Sequence, residues 1–138
     1  PRGFTPLFEH LASAIMHSTA LPPAHAACML ALVEELPRLE ERRRTLAARV
    51  AFFRQALTER GLPVMGDAHI VSVPVGDEAR CRRLAARLAE SGVLVLGARW
   101  PTVPRGQALL RFGLTARHTE ELLARTAAVL SGLWEGQR

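Results

Sequence analysis

Three consecutive pieces decide the fold: Val93-Leu-Val-Leu96, then Arg99-Trp-Pro-Thr-Val-Pro-Arg-Gly106, then Leu109-Leu-Arg-Phe-Gly-Leu114. The first is a short, wholly apolar run, which predicts a buried strand. In the third, Leu110, Phe112 and Leu114 alternate onto one face, the period of a strand covered on one side. The piece between them carries two prolines around Thr102-Val103, a loop whose backbone is stiffened where φ is fixed. Two strands so close in sequence can pair antiparallel without a crossover.

Outward from this hairpin, His69 to Val75 also alternates, with Val71, Val73 and Val75 on one face, and predicts a third strand. Helical segments surround the strands. Leu21-Pro22-Pro23 marks a hard boundary, and a helix is expected from Ala24 to Leu36, where Pro37 breaks or kinks it. Its small residues Ala24, Ala27, Cys28 and Ala31 permit close approach by another element. A longer helix runs to Arg60, with Leu39, Leu46, Val50, Phe53 and Leu57 on one face and Gly61 as its C-cap. Asp77 is a good N-cap for a helix over residues 78–90 that turns Cys81, Leu84, Ala85 and Leu88 inward and ends at Gly92. Thr119 caps a last helix through Trp134, expected to pack with Leu122, Thr126, Val129 and Leu133. Before Thr19, Leu7, Leu11, Ala14 and Ile15 recur at helical spacing. The order is α-α-β-α-β-β-α: an α/β chain of the α+β kind, with a small, mainly antiparallel sheet and helices on one face.

The 138 residues, 49% hydrophobic, suffice for one real core. No apolar run is long enough to cross a bilayer, so no membrane partner is expected. The opening Pro1-Arg2-Gly3-Phe4-Thr5 has neither a basic n-region nor an apolar h-region, and reads as a chain entered partway through. Cys28 and Cys81 sit in apolar helical patterns, which predicts buried reduced thiols and a cytoplasmic setting. A formal charge of +5 suggests nucleic acid, but the positive residues are interleaved with Glu, as in Arg38-Leu-Glu-Glu-Arg-Arg-Arg44, the pattern of a solvated helix face. With no Tyr and no nucleic-acid motif, no nucleic-acid partner is expected. His10, His17, His25, His69 and His118 show no metal-ligand spacing with the cysteines, so no metal site is expected.

Two features bear on chemistry. All 18 basic residues are arginine, so no side chain of this chain can supply a Schiff-base amine. Arg111, between Leu110 and Phe112, projects from the face opposite to theirs. A strand interior is a costly place for a guanidinium unless an anion meets its fork. Strand geometry alone leaves open whether that anion is a ligand carboxylate or a neighbouring Asp or Glu.

The stretch from Pro101 to Thr119, with Pro101-Thr-Val-Pro-Arg-Gly106 and Leu110-Arg-Phe-Gly-Leu-Thr-Ala-Arg-His-Thr119, resembles the C-terminal motif of the α-oxoamine synthases. His17-Ser-Thr-Ala-Leu-Pro-Pro-Ala24 is similar to the segment leading those enzymes into their interdomain helix, and Ile70-Val-Ser-Val-Pro-Val-Gly-Asp77 resembles the first strand of their small domain. The matches fall in family order and cover essentially the whole chain. The resemblance implies the C-terminal part of a fold-type-I, pyridoxal-phosphate-dependent homodimer that condenses an amino acid, alanine or glycine, with an acyl-CoA. It divides the chain into a lead-in segment and interdomain helix (1–36) and a small domain (37–138). It further implies that Arg111 binds the amino acid's α-carboxylate, that Thr102 lies near the acyl end of the second substrate, and that Ser18 and Thr19 approach the cofactor phosphate. The family's Schiff-base lysine belongs upstream of Pro1, so this chain is expected to carry no catalytic residue and to be inactive by itself.

Overall fold

A computed structural model describes residues 21–136. They fall into two units, one ending at Leu39 and one beginning at Glu40. The first contains α1 (Pro23–Glu35), entered through Pro22 as N-cap, and a 3₁₀ turn over Leu36–Leu39 that absorbs Pro37. Both features follow from proline: it suits a first helical turn and stops a later one. α1 buries none of its residues. Cys28 is therefore exposed, against the expectation of a buried thiol, because an apolar pattern marks what a helix can bury and not what covers it. The expected helical spacing at Leu7, Leu11, Ala14 and Ile15 lies outside the described residues.

The second unit is built from α2 (Glu40–Thr58), β1 (Ile70–Gly76), α3 (Glu78–Glu90), β2 (Leu96–Ala98), β3 (Ala108–Gly113) and α4 (Glu120–Glu135). The strands form one sheet in the order β1-β3-β2, antiparallel throughout, with β3 in the middle. Val71, Val73, Leu110 and Phe112 are buried under the helices, while their alternates are not. α3 lies against all three strands and α4 packs on α2 and α3. α3 packs directly over Gly97, where an added Cβ would stand in van der Waals contact, 3.4 Å from Cys81 Sγ and 3.6 Å from Ala85 Cβ. Cys81 itself is buried, and its thiol donates to the Leu109 carbonyl at 3.4 Å. Phe53 of α2 meets Phe112 edge-on, with centroids 5.3 Å apart, an arrangement that aromatic quadrupoles favour.

The capping signals act as written. Asp77 Oδ1 accepts from the Arg80 amide at 2.6 Å, and the Thr119 hydroxyl accepts from the Leu122 amide at 3.3 Å. Two expectations need correction. The strand expected at Val93–Leu96 begins only at Leu96. Gly92, at φ +80°, closes the end of α3, and Val93 spends its amide on the Leu88 carbonyl at 2.8 Å, so the apolar run starts as a helix cap. Leu94 is consequently 92% exposed. In α4 the fully buried side is Leu123, Thr126, Ala127 and Leu130, whereas Leu122 is 45% exposed. Apolar residues occupy most of that helix's circumference, so periodicity could not choose the side that α2 and α3 would cover.

Candidate functional site

β3 places Arg111 at the centre of the sheet face opposite the helices of this unit. Directly opposite it are Ser72 of β1 and Leu96 of β2, and Ser72 pairs in turn with Met65 through two backbone hydrogen bonds of 2.8 and 2.9 Å. Directly opposed residues point to the same face. Met65, Ser72, Arg111 and Leu96 thus form one row across the sheet, with Leu96 (58% exposed) directly beside Arg111 on one side and Met65 (56% exposed) beyond Ser72 on the other. Among the described residues Arg111 forms no ion pair; the salt bridges there join Arg38 to Glu35, Arg43 and Arg44 to Glu40, and Arg49 to Glu120. The alternative of a neighbouring Asp or Glu is thereby removed for these residues. A Cβ on Gly113 would meet nothing within 4 Å, so the space beside Arg111 does not depend on glycine there.

Thr102 lies at the other end of the hairpin. Its amide and that of Val103 donate to the Arg99 carbonyl at 2.8 and 3.3 Å, closing the turn that contains the cis Trp100–Pro101 peptide. The last β2–β3 pair before the loop is Ala98 with Leu109, two residues along from Arg111. Ser18 and Thr19 lie outside the described residues. His118 accepts from the Thr115 amide through Nδ1 at 3.3 Å, inside the turn that leads into α4.

Sequence inspection missed two concave regions. An apolar cleft of about 280 Å³ opens beside the end of β3, between Phe112, Leu114 and Leu122. A second cleft, of about 490 Å³, is lined by Arg82, Arg99 and Arg105 together with Asp77 and Glu78. Arg82 comes from α3, Arg99 from the end of β2 and Arg105 from the proline loop. Nothing in the linear spacing announces their convergence, although Trp100 and Arg105 bracketing the prolines was a signal: the Arg105 guanidinium stacks over the Trp100 ring at 4.8 Å. No group of three or more His, Cys, Asp or Glu among the described residues could hold a metal ion, and no helix there is long and apolar enough to cross a membrane.

The second unit thus presents an antiparallel sheet with helices on one face and, on the other, an arginine that forms no ion pair among the described residues. The family model for aminotransferase class I and II matches residues 7–130, and the chain belongs to that family. Within it, the chain is 41% identical over 128 residues to 8-amino-7-oxononanoate synthase of Geobacter metallireducens, covering 91% of this chain and 33% of the relative. It is 40% identical over 140 residues to the enzyme of that name in Chromohalobacter salexigens, covering 99% and 36%. The chain thus spans about a third of the length of the curated relatives it matches. Among solved structures, 8-amino-7-oxononanoate synthase from Francisella tularensis superposes with a TM-score of 0.76 at 22% identity, over 99% of this chain and 40% of that one. A serine palmitoyltransferase variant from S. paucimobilis with a bound PLP–myriocin aldimine gives 0.77 at 23%, over 90% and 32%. These two likenesses establish the fold, which is that of a fragment of fold-type-I aminotransferase-like enzymes.

Proposed function

We propose that this chain is the substrate-recognising C-terminal portion of a pyridoxal-phosphate-dependent acyl-CoA:amino-acid C-acyltransferase that joins alanine to a pimeloyl thioester, as the name shared by its relatives suggests. The observation that carries this reading is Arg111: an exposed guanidinium in the middle strand, with no acidic partner among the described residues. Its planar fork fits a carboxylate through two parallel charge-assisted hydrogen bonds, which fixes both the position and the orientation of an amino acid.

The residues here fit the substrate better than the cofactor's covalent anchor. With no lysine in the chain, the anchoring amine must come from the part of the enzyme that this third does not include. Pyridoxal phosphate, when bound, supplies the electron sink that stabilises a carbanion. The chain's own contribution is to hold the carboxylate at Arg111, to place Thr102 beside the acyl end of the donor, and to offer the Ser18 and Thr19 hydroxyls to the cofactor phosphate, in a cytoplasmic homodimer whose active sites are shared between subunits. No residue of this chain is assigned to bond making. The exposed Met65 and Leu96 in the row of Arg111 support the reading, since exposed apolar groups near a charge suit a face that further protein covers.

The test is an assay of the complete enzyme for release of free CoA thiol, with alanine plus pimeloyl-CoA and with glycine plus succinyl-CoA. Turnover with the first pair and not the second is expected. Turnover with glycine and succinyl-CoA alone would move the chain to the 5-aminolevulinate-forming branch, and none with either would overturn the reading.

A further inference from the structure

The cleft between the start of α3 and the proline loop has no part in the function argued above, and its composition is unusual. Arg82, Arg99 and Arg105 line one space of about 490 Å³ and outnumber its two carboxylates, Asp77 and Glu78. Bringing three like charges together is unfavourable unless an anion is gained. Among the described residues none of the three guanidiniums has an ion-pair partner. Asp77 has its own task, since its carboxylate holds the Arg80 amide at 2.6 Å.

The surroundings preorganise the cleft for a multiply charged ligand. Stacking on Trp100 orders the Arg105 side chain and leaves its N–H edges free. Gly76 (φ +82°) and Gly106 (φ +74°) bring two backbone segments together, and a Cβ on Gly76 would stand 3.5 Å from the Gly106 carbonyl oxygen. Both glycines line the cleft, so neither position puts a side chain into it. Glu78 and Ala79 occupy the first turn of α3, where amides lack a helical carbonyl partner. The size lies within the roughly 300–1,000 Å³ usual for small-ligand sites. Three forked donors over an open polar floor suit phosphate oxygens better than a single carboxylate, which one arginine satisfies.

We infer that this cleft binds the phosphate groups of the nucleotide half of the CoA donor, so that Arg82, Arg99 and Arg105 govern affinity for CoA while Arg111 governs affinity for the amino acid. The identity of the ligand rests on the acyl-CoA reading proposed above; the phosphate chemistry rests on the cleft itself.

The experiment is calorimetric titration of the complete enzyme with CoA, with pantetheine (which lacks the nucleotide) and with inorganic pyrophosphate, at low and moderate salt. The wild-type protein is expected to bind CoA more tightly than pantetheine and to lose CoA affinity as salt rises. The double variant Arg82→Ala/Arg105→Ala is expected to weaken CoA and pyrophosphate by roughly tenfold or more, the loss expected of charge-assisted hydrogen bonds, while pantetheine affinity stays as in the wild type. The charge reversal Arg82→Glu should weaken CoA further, and circular dichroism on each variant separates loss of a site from loss of fold. Unchanged CoA affinity in a folded double variant overturns the inference, as does an equal loss for pantetheine. If the enzyme transfers acyl groups but the variant binds CoA normally, only this inference falls. If CoA binds through the arginines but no acyl transfer occurs, only the proposed function falls.

Discussion

Replacing Arg111 by alanine in the complete enzyme isolates the contact on which the functional reading stands. The side chain is exposed on the open sheet face and belongs to no part of the core, so the truncation opens no cavity and should leave folding stability within about 0.5 kcal/mol. Its effect on substrate depends on how dry the face becomes. A guanidinium–carboxylate pair left in water is worth at most about 1 kcal/mol, or roughly a fivefold change in affinity. The same pair under a protein cover is a charge-assisted bond worth about 1.5–3 kcal/mol, or roughly ten- to 140-fold. The exposed Leu96 beside it, and Met65 one position further along the row beyond Ser72, favour the covered case, because their burial in the complete enzyme would remove water from around the guanidinium. The assay is steady-state kinetics with alanine varied at saturating acyl donor. The KM for alanine should rise by at least about tenfold, with the KM for the donor unchanged. Arg111→Lys should fall between, since it keeps the charge but loses the fork. A folded Arg111→Ala enzyme whose alanine KM moves by less than about fivefold would refute the covered-pair reasoning.

Other consequences follow from the core, caps and thiols. Leu110→Ala, at a fully buried position in the central strand, should destabilise by about 2–5 kcal/mol in chemical denaturation, far more than Arg111→Ala one residue away. Asp77→Ala removes the acceptor of the Arg80 amide and should cost about 0.5–2 kcal/mol by the same measurement. Burial pushes the Cys81 thiol above its ordinary value of 9.0, opposed by the Arg99 charge and reinforced by that of Asp77. The folded state therefore favours the neutral thiol; the stability this contributes is present below pH 9.0 and is lost as pH rises through the folded value. In thiol titration of this chain at neutral pH, exposed Cys28 should react at once and Cys81 only on unfolding. The Glu121 carboxyl is held below the usual range by its own backbone amide and by the Thr119 hydroxyl, so its contribution is present above the ordinary carboxylate value and fades as pH falls through the folded one. Thr119→Ala should raise the Glu121 titration midpoint followed by NMR.

Much of this molecule is written locally. The alternation Leu110-Arg111-Phe112 decided that β3 has a covered and an open face, and that the arginine takes the open one, because successive strand residues must point opposite ways. Proline at 22, 23 and 37, Asp77, Thr119 and Gly92 set helix boundaries through groups belonging to their own turns. The motifs from Pro101 to Thr119 also sufficed to name a family, which the match over residues 7–130 supports at the broader level of class I and II aminotransferases. What the sequence could not state is whatever depends on a distant partner. Which side of α4 is buried was chosen by α2 and α3, and whether Cys28 is covered depends on protein outside its own helix. The meeting of Arg82, Arg99 and Arg105 in one cleft required β2, the proline loop and the start of α3 to fold against each other. Periodicity and capping act within a few residues of chain, whereas a cleft is a coincidence of segments far apart in sequence, which only packing brings about.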